Sequence, residues 1–203
     1  LAPARKIRKE VLESMKKVKL LQIWSSGFDK FNLLDAKNLG LKVANNGGHN
    51  SIAVAEQTLL LLLAIYKNLN DGQQRVKSGI WEGNSHGMDN YTLKGKTIGI
   101  YGLGNIGSKV ANLCLAFGMD VIYHDIERKT DFEEINKIKF VSKDELLANS
   151  DVISLHLHLN KHTEAIIGED EISVMKDKVV IINVSRADLI DRSALQRNLL
   201  NGK

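Results

Sequence analysis

The sequence predicts an α/β protein built on a doubly wound parallel sheet, with the remnant of a second, flavodoxin-like unit before it. Three features predict this. From Lys96 onward, short apolar runs rich in β-branched residues alternate with runs of helical periodicity. A glycine-rich turn, Gly102–Gly107, joins the first such run to the first such helix. The run Val179–Val184 is almost purely β-branched, the composition of a central strand buried on both faces.

The elements follow in order. Residues 5–19 place Ile7, Val11, Leu12 and Met15 at helical spacing and predict an amphipathic helix with a solvated basic face. Lys19–Trp24 reads as a strand and Ser25-Ser26-Gly27-Phe28-Asp29 as a turn. Phe31–Leu39 reads as a helix stopped by Gly40, and Leu41–Ala44 as a second short strand. Asn45, Asn46, Gly47 and Gly48 form the strongest loop signal in the chain. Ser51–Asn68 predicts a long helix, apolar nearly all round, that is buried on more than one side or packs on a second copy. Residues 70–79 continue as a more polar helix, and 81–90 read as irregular.

Beyond Lys96 the predicted strands are 97–101, 120–124, 152–156 and 178–183. Helices are expected near 105–117, 143–149 and 169–175, and from Ser193 to Leu200. Right-handed crossovers then bring all strand C-terminal ends to one edge, where open α/β sheets bind ligands. That edge carries Gly102, Asp125, His156 and Asn183–Arg186.

Composition narrows the function classes. The chain has 203 residues, 43% hydrophobic and 26% charged, which is the balance of a globular protein with a real core. Its longest strongly apolar run, Leu59–Ile65, is far too short to span a membrane, and no basic-then-apolar leader opens the chain. A single cysteine, Cys114, excludes an internal disulfide and suits a reducing compartment, so a cytoplasmic protein is expected. The net charge of +4 is concentrated in residues 1–20, which carry seven Lys/Arg and two Glu; the remainder sums to −1. Neither nucleic acid nor membrane is therefore an expected partner.

The glycine turn has the spacing G-x-G-x-x-G inside a βαβ unit. Gly102 permits the tight turn, Gly104 lets a pyrophosphate approach the backbone, and Gly107 lets the helix pack close to the strand. The N-terminus of the following helix then faces the phosphates. Asp125 arrives about 20 residues later, where a carboxylate accepts hydrogen bonds from a ribose diol. An ordinary strand–turn–helix would explain Gly107 but not Asp125. The cofactor expected is NAD.

Arg186 follows the strongest β run in Asn183-Val184-Ser185-Arg186. Its planar fork can grip a carboxylate and polarise a neighbouring carbonyl. The alternative is a surface arginine paired with Asp188 or Asp191, and spacing alone leaves both open. His156 and His158 share a strand face with no third ligand evident, so no metal is expected.

The order of five segments resembles the D-isomer-specific 2-hydroxyacid dehydrogenases. These are Ser25–Asp29, Ser51–Ala64, Leu93–Gly107, His156–Thr163 and Ile182–Asp191. That group includes phosphoglycerate, glycerate, lactate and formate dehydrogenases and glyoxylate/hydroxypyruvate reductases. The resemblance runs from about residue 17 to 203 and implies a Rossmann-like cofactor domain closing on a substrate domain. It implies reversible hydride transfer between NAD(H) and a 2-hydroxy or 2-oxo acid. By position, Ser26 and Gly27 match the loop whose amides hold the substrate carboxylate. Val54 matches a residue lining the nicotinamide pocket, and Asn105 and Ile106 match the pyrophosphate turn. Asp125 matches the ribose acid and favours NAD over NADP. His156, Leu157 and His158 match the loop under the adenosine half, and Val184 and Ser185 a loop beside the nicotinamide. Arg186 matches the catalytic, substrate-orienting arginine.

The resemblance further implies a substrate domain in 1–49, a cofactor domain in 50–203, and a homodimer through the helix 51–68. His158 stands where proline is usual, and Ala187 where glycine follows the arginine. The family's proton donor is a histidine supported by a glutamate. Histidines 49, 86, 124, 156, 158 and 162 match none of that position and the first part of the substrate domain has no match either, so the chain is expected to be cut at both ends. The alternative function is an NAD-sensing binding protein, or a co-repressor-like pseudoenzyme of the same fold.

Overall fold

A computed structural model describes residues 7–81 and 90–203. The first unit packs α1 (Lys9–Ser14) and α2 (Leu33–Asn38) against the parallel pair β1 (Leu20–Gln22) and β2 (Lys42–Ala44). Leu12, Leu21, Ile23, Phe31 and Ala36 form its own small core. Asn32 caps α2, its Oδ1 accepting from the N–H groups of Leu34 and Asp35. Gly40 ends that helix at φ +69°, a conformation that costs glycine little.

The second unit is a five-stranded, wholly parallel sheet in the order β5-β4-β3-β6-β7. Its strands are β3 (Thr97–Tyr101), β4 (Asp120–His124), β5 (Lys139–Phe140), β6 (Val152–Leu155) and β7 (Val180–Asn183). Alternation along the strands feeds two cores. Ile98, Ile100 and Val152 face α3 (Ser51–Tyr66) and α5 (Gly107–Ala116), meeting Ala55, Leu62, Val110 and Cys114. Tyr101, Ile153 and Leu155 face α7 (Lys143–Asn149), α8 (Glu169–Val174) and α9 (Arg192–Leu200), meeting Leu146, Leu147, Ile172 and Ala194. Helices thus cover both faces, as a doubly wound parallel sheet requires. Burial pushes the Cys114 thiol up to about 12, so it serves as a small apolar side chain.

Several expectations need correction. The run Val179–Val184 supplies the last strand of the sheet among the described residues, not a central one, and β7 is only partly buried. Strand β5 and helix α6 (Thr130–Asn136) were not expected; the strand is two residues long and the helix buries no residue. The predicted helix 51–68 ends at Tyr66, because Asn68 adopts φ +46° and α4 (Leu69–Lys77) leaves at 64°. Within the chain α3 buries one face through Ser51, Ala55, Thr58, Leu62 and Tyr66. Ile52, Leu60, Leu61 and Ile65 stay exposed, so burial on more than one side does not occur among the described residues. The irregular segment read at 81–90 lies almost wholly outside the described residues. No single described helix is long and apolar enough to cross a membrane.

Candidate functional site

The C-terminal ends of β3, β4, β6 and β7 lie on one edge, which brings the glycine turn, Asp125, the 156–158 loop and Arg186 to the same side of the sheet. The three glycines differ in what a side chain would meet. Gly102 sits at φ +98°, and a Cβ would stand 2.8 Å from the His156 carbonyl oxygen. A Cβ on Gly107 would overlap the Gly102 carbonyl oxygen, so α5 rests directly on the turn. At Gly104 a Cβ would meet nothing within 4 Å. That glycine is required by no internal packing and leaves open space beside exposed backbone. Among the described residues nothing accepts from the backbone N–H groups of Gly104, Asn105, Ile106 or Gly107. Unpaired donors, the positive end of a ten-residue helix and free space suit a phosphate.

Asp125 closes the turn from β4. Its Oδ2 accepts from Leu103 N at 2.7 Å, while Gly102 N donates to the His124 carbonyl at 2.8 Å. Two cations follow Asp125, and both are already engaged: Arg128 grips Glu133, and Lys129 pairs with Glu127. On the other flank Leu157 packs over Gly102. His156 Nε2 lies 2.9 Å from Ser154 Oγ, whereas its Nδ1 is shut off from solvent and has no partner among the described residues. Burial pushes the imidazole pKa down to about 4, so His156 is neutral near pH 7. His158 is exposed. Among the described residues no group of three or more His, Cys, Asp or Glu is placed to hold a metal ion.

The loop after β7 is tied down before Arg186 begins. Asn183 Nδ2 donates to the Arg186 carbonyl at 2.7 Å, Asn183 Oδ1 accepts from Ser185 N at 2.9 Å, and Ser185 Oγ donates to the Leu155 carbonyl at 2.9 Å. Neither Asp188 nor Asp191 pairs with Arg186; Asp191 instead caps α9 by accepting from Ala194 N. The arginine crosses to the first unit. Its Nε and Nη2 donate to Asp29 Oδ1 at 2.9 and 2.7 Å, and its Nη1 donates to the Ser185 carbonyl at 3.0 Å. The hydrogen bond from Arg186 holds the Asp29 carboxyl below its usual range. A Cβ on Gly27 would overlap Arg186 Nη2, so the guanidinium lies against the Gly27 backbone.

The Ser26–Gly27 loop is braced by asparagines. Asn45 Nδ2 donates to the Ser26 carbonyl at 2.8 Å, and Ser26 Oγ lies 2.9 Å from the Asn46 carbonyl and 3.0 Å from Asn50 Oδ1. Ser25 Oγ takes up the Gly27 carbonyl at 2.8 Å. Among the described residues nothing accepts from the N–H groups of Ser26 or Gly27. Gly48 lies against Asn105, where a Cβ would stand 2.9 Å from Nδ2, so the two units also meet at the glycine turn. Val54 is half-buried on α3, one turn after Asn50, and Val184 is half-buried after β7. Sequence reasoning missed Asp29 and the bracing asparagines. A carboxylate two residues after Gly27 in the same loop was the available signal.

Residues 59–203 match the family described as D-isomer specific 2-hydroxyacid dehydrogenase, NAD binding domain. A glyoxylate reductase of Thermococcus litoralis is 37% identical over 202 residues, covering 97% of this chain and 61% of that protein. A hydroxypyruvate reductase of Thermotoga maritima is 36% identical over 201 residues, covering 98% of this chain and 64% of that protein. The crystal structure of a D-lactate dehydrogenase from Aquifex aeolicus, complexed with NAD and lactic acid, superposes with a TM-score of 0.88 at 38% identity. That match covers 98% of this chain and 59% of the other. The chain therefore spans about three-fifths of the length of the relatives it matches.

Proposed function

The chain belongs to the D-isomer specific 2-hydroxyacid dehydrogenases, and from that premise we propose that the protein moves a hydride between NAD(H) and a small 2-hydroxy or 2-oxo acid. One observation carries the reading: Arg186 lies directly against the Ser26–Gly27 loop, and the N–H groups of Ser26 and Gly27 have no acceptor among the described residues. A guanidinium beside free amides suits a carboxylate.

In this proposal the N–H groups of Gly104–Gly107 hold the pyrophosphate, and Asp125 takes the ribose diol. His156, Leu157 and His158 lie under the adenosine half, with Val54, Val184 and Ser185 beside the nicotinamide. The bound cofactor supplies or accepts the hydride. Ser26 and Gly27 hold the substrate carboxylate through their amides, and Arg186 adds the cation that stabilises charge growing on the carbonyl oxygen. Asp125 disfavours a 2′-phosphate by repulsion, and Arg128 and Lys129, already paired, are poorly placed to offset it. His156 is not assigned as proton donor, because burial pushes its pKa down to about 4 and favours the neutral ring near neutrality. Among the described residues no histidine pairs with a carboxylate, so none is assigned that role.

Residues 1–49 are proposed as part of the substrate domain and 50–203 as the cofactor domain. The exposed apolar face of α3 is the proposed contact with a second copy. The alternative of a cofactor sensor without turnover gains no support from the relatives described above, each named as a reductase or dehydrogenase. The test is to assay the full gene product with NADH and with NADPH against glyoxylate, hydroxypyruvate and pyruvate, and in the reverse direction against 3-phosphoglycerate. Turnover with at least one acid and a preference for NADH are expected. Absence of turnover with all of them, together with no NADH binding, would overturn the proposal.

A further inference from the structure

Arg186 has five N–H donors in a rigid plane. Three are committed: Nε and one Nη2 hydrogen to Asp29 Oδ1, and one Nη1 hydrogen to the Ser185 carbonyl. One N–H therefore remains on each terminal nitrogen. The pairing is side-on, because Nε and Nη2 share the same edge of the guanidinium. A second anion can then approach from another edge without displacing Asp29.

The rest of the surroundings keep this arrangement single. The arginine backbone is pinned by Asn183, and the side chain lies against Gly27, where no Cβ pushes it away. The Asp29 side chain is 17% exposed and that of Arg186 38%, so the pair is partly shielded. The two residues are 157 positions apart and belong to different units, so the pairing also fixes where the first unit's loop sits relative to β7.

We propose that Asp29 is the positioning residue of Arg186: by holding the side-on edge of the guanidinium, it aims the two remaining terminal N–H groups at the substrate beside Gly27. Asp29 itself touches no substrate. This inference rests on the functional reading above. Its signature is a split between kinetic constants. Removing Asp29 frees the guanidinium to rotate, and misplacement of a catalytic group by about 1 Å costs on the order of 100-fold in rate. Removing its charge also leaves Arg186 a less neutralised cation, which draws any carboxylate and offsets weaker binding.

The experiment compares Asp29→Ala and Asp29→Asn with wild type in the full gene product. It measures kcat and KM for the preferred 2-oxo acid, affinity for oxamate as an unreactive mimic, and affinity for NADH. Asp29→Ala is expected to lose about 10-fold to 100-fold in kcat, with KM and oxamate affinity changed by less than about threefold. Its NADH affinity stays at the wild-type level, which reports that the cofactor domain is folded. Asp29→Asn retains the Oδ1 acceptor and is expected to recover most of the lost kcat. Gly27→Ala, which pushes on Arg186 from the opposite side, gives an independent displacement and is expected to lower kcat as well. An unchanged or raised kcat in Asp29→Ala overturns the proposal and makes the ion pair a competitor of the substrate. Failure of Asp29→Asn to improve on Asp29→Ala also overturns it. A wild-type protein that neither reduces a 2-oxo acid nor binds oxamate refutes the functional reading itself, and this inference with it.

Discussion

The neutral imidazole of His156 makes a quantitative demand on acid stability. Its Nδ1 is closed off from solvent, and burial pushes its pKa down to about 4. In the unfolded chain the ring recovers a value of about 6.5. Between these two values the unfolded state binds a proton that the folded state does not. Stability therefore rises with pH across that window and is lost as pH falls from about 6.5 toward 4. A gap of about 2.5 in pKa, at about 1.4 kcal/mol per unit, sets a ceiling of about 3.5 kcal/mol, of which about 2–3 kcal/mol is spent by pH 4.5. The perturbation is His156→Gln, which keeps a polar partner for Ser154 but does not titrate. Urea midpoints are read by circular dichroism for both proteins at pH 7.5 and 4.5. Carboxylates titrate in both proteins, so they cancel in the comparison. The stability of His156→Gln relative to wild type is expected to improve by about 2–3 kcal/mol between pH 7.5 and 4.5. A difference between the two proteins that stays constant across that range would show that His156 is not a buried neutral group in the folded protein.

Two further outcomes follow from packing. Gly107→Ala places a methyl on the Gly102 carbonyl oxygen, a backbone atom that cannot rotate away; the expected cost is about 1–3 kcal/mol in chemical unfolding, with weaker NADH binding by titration calorimetry. Unchanged stability would mean that the turn has slack not visible in its geometry. Leu60→Lys combined with Ile65→Lys charges the open face of α3 without touching Leu62 or Tyr66. Light scattering should then give a dimer for wild type and a monomer for the variant, whereas a monomeric wild type removes the proposed interface.

Much of the fold is legible because its signals are local. The turn at Gly102–Gly107 and the short apolar runs Thr97–Tyr101 and Val152–Leu155 need no distant partner to be read. What escapes depends on tertiary context. Lys139–Phe140 is too short to show a two-residue period, and Thr130–Asn136 has no buried face to betray it. The run Val179–Val184 reads as central because β-branched residues mark any half-buried strand, yet β7 is the last strand of the described sheet. Asn68 breaks the long helix by adopting a left-handed conformation, which asparagine tolerates better than most residues. The candidate site divides the same way. Arg186 is visible from its place after a strand, but spacing alone leaves a site role and a pairing with Asp188 or Asp191 equally open, whereas its partner is Asp29 on the other unit. No sequence interval encodes that contact; it arises because the first unit's loop and the β7 end face each other across Gly27.

In the proposed reaction Arg186 acts on a 2-oxo acid beside a dinucleotide bound at the glycine turn. Arg186→Lys in the full gene product tests it most directly, because lysine keeps the charge but loses the planar fork. The expected outcome is a loss of at least about 100-fold in kcat/KM for the preferred 2-oxo acid, with NADH affinity by titration calorimetry at the wild-type level. A variant that reduces the acid at the wild-type rate would contradict it.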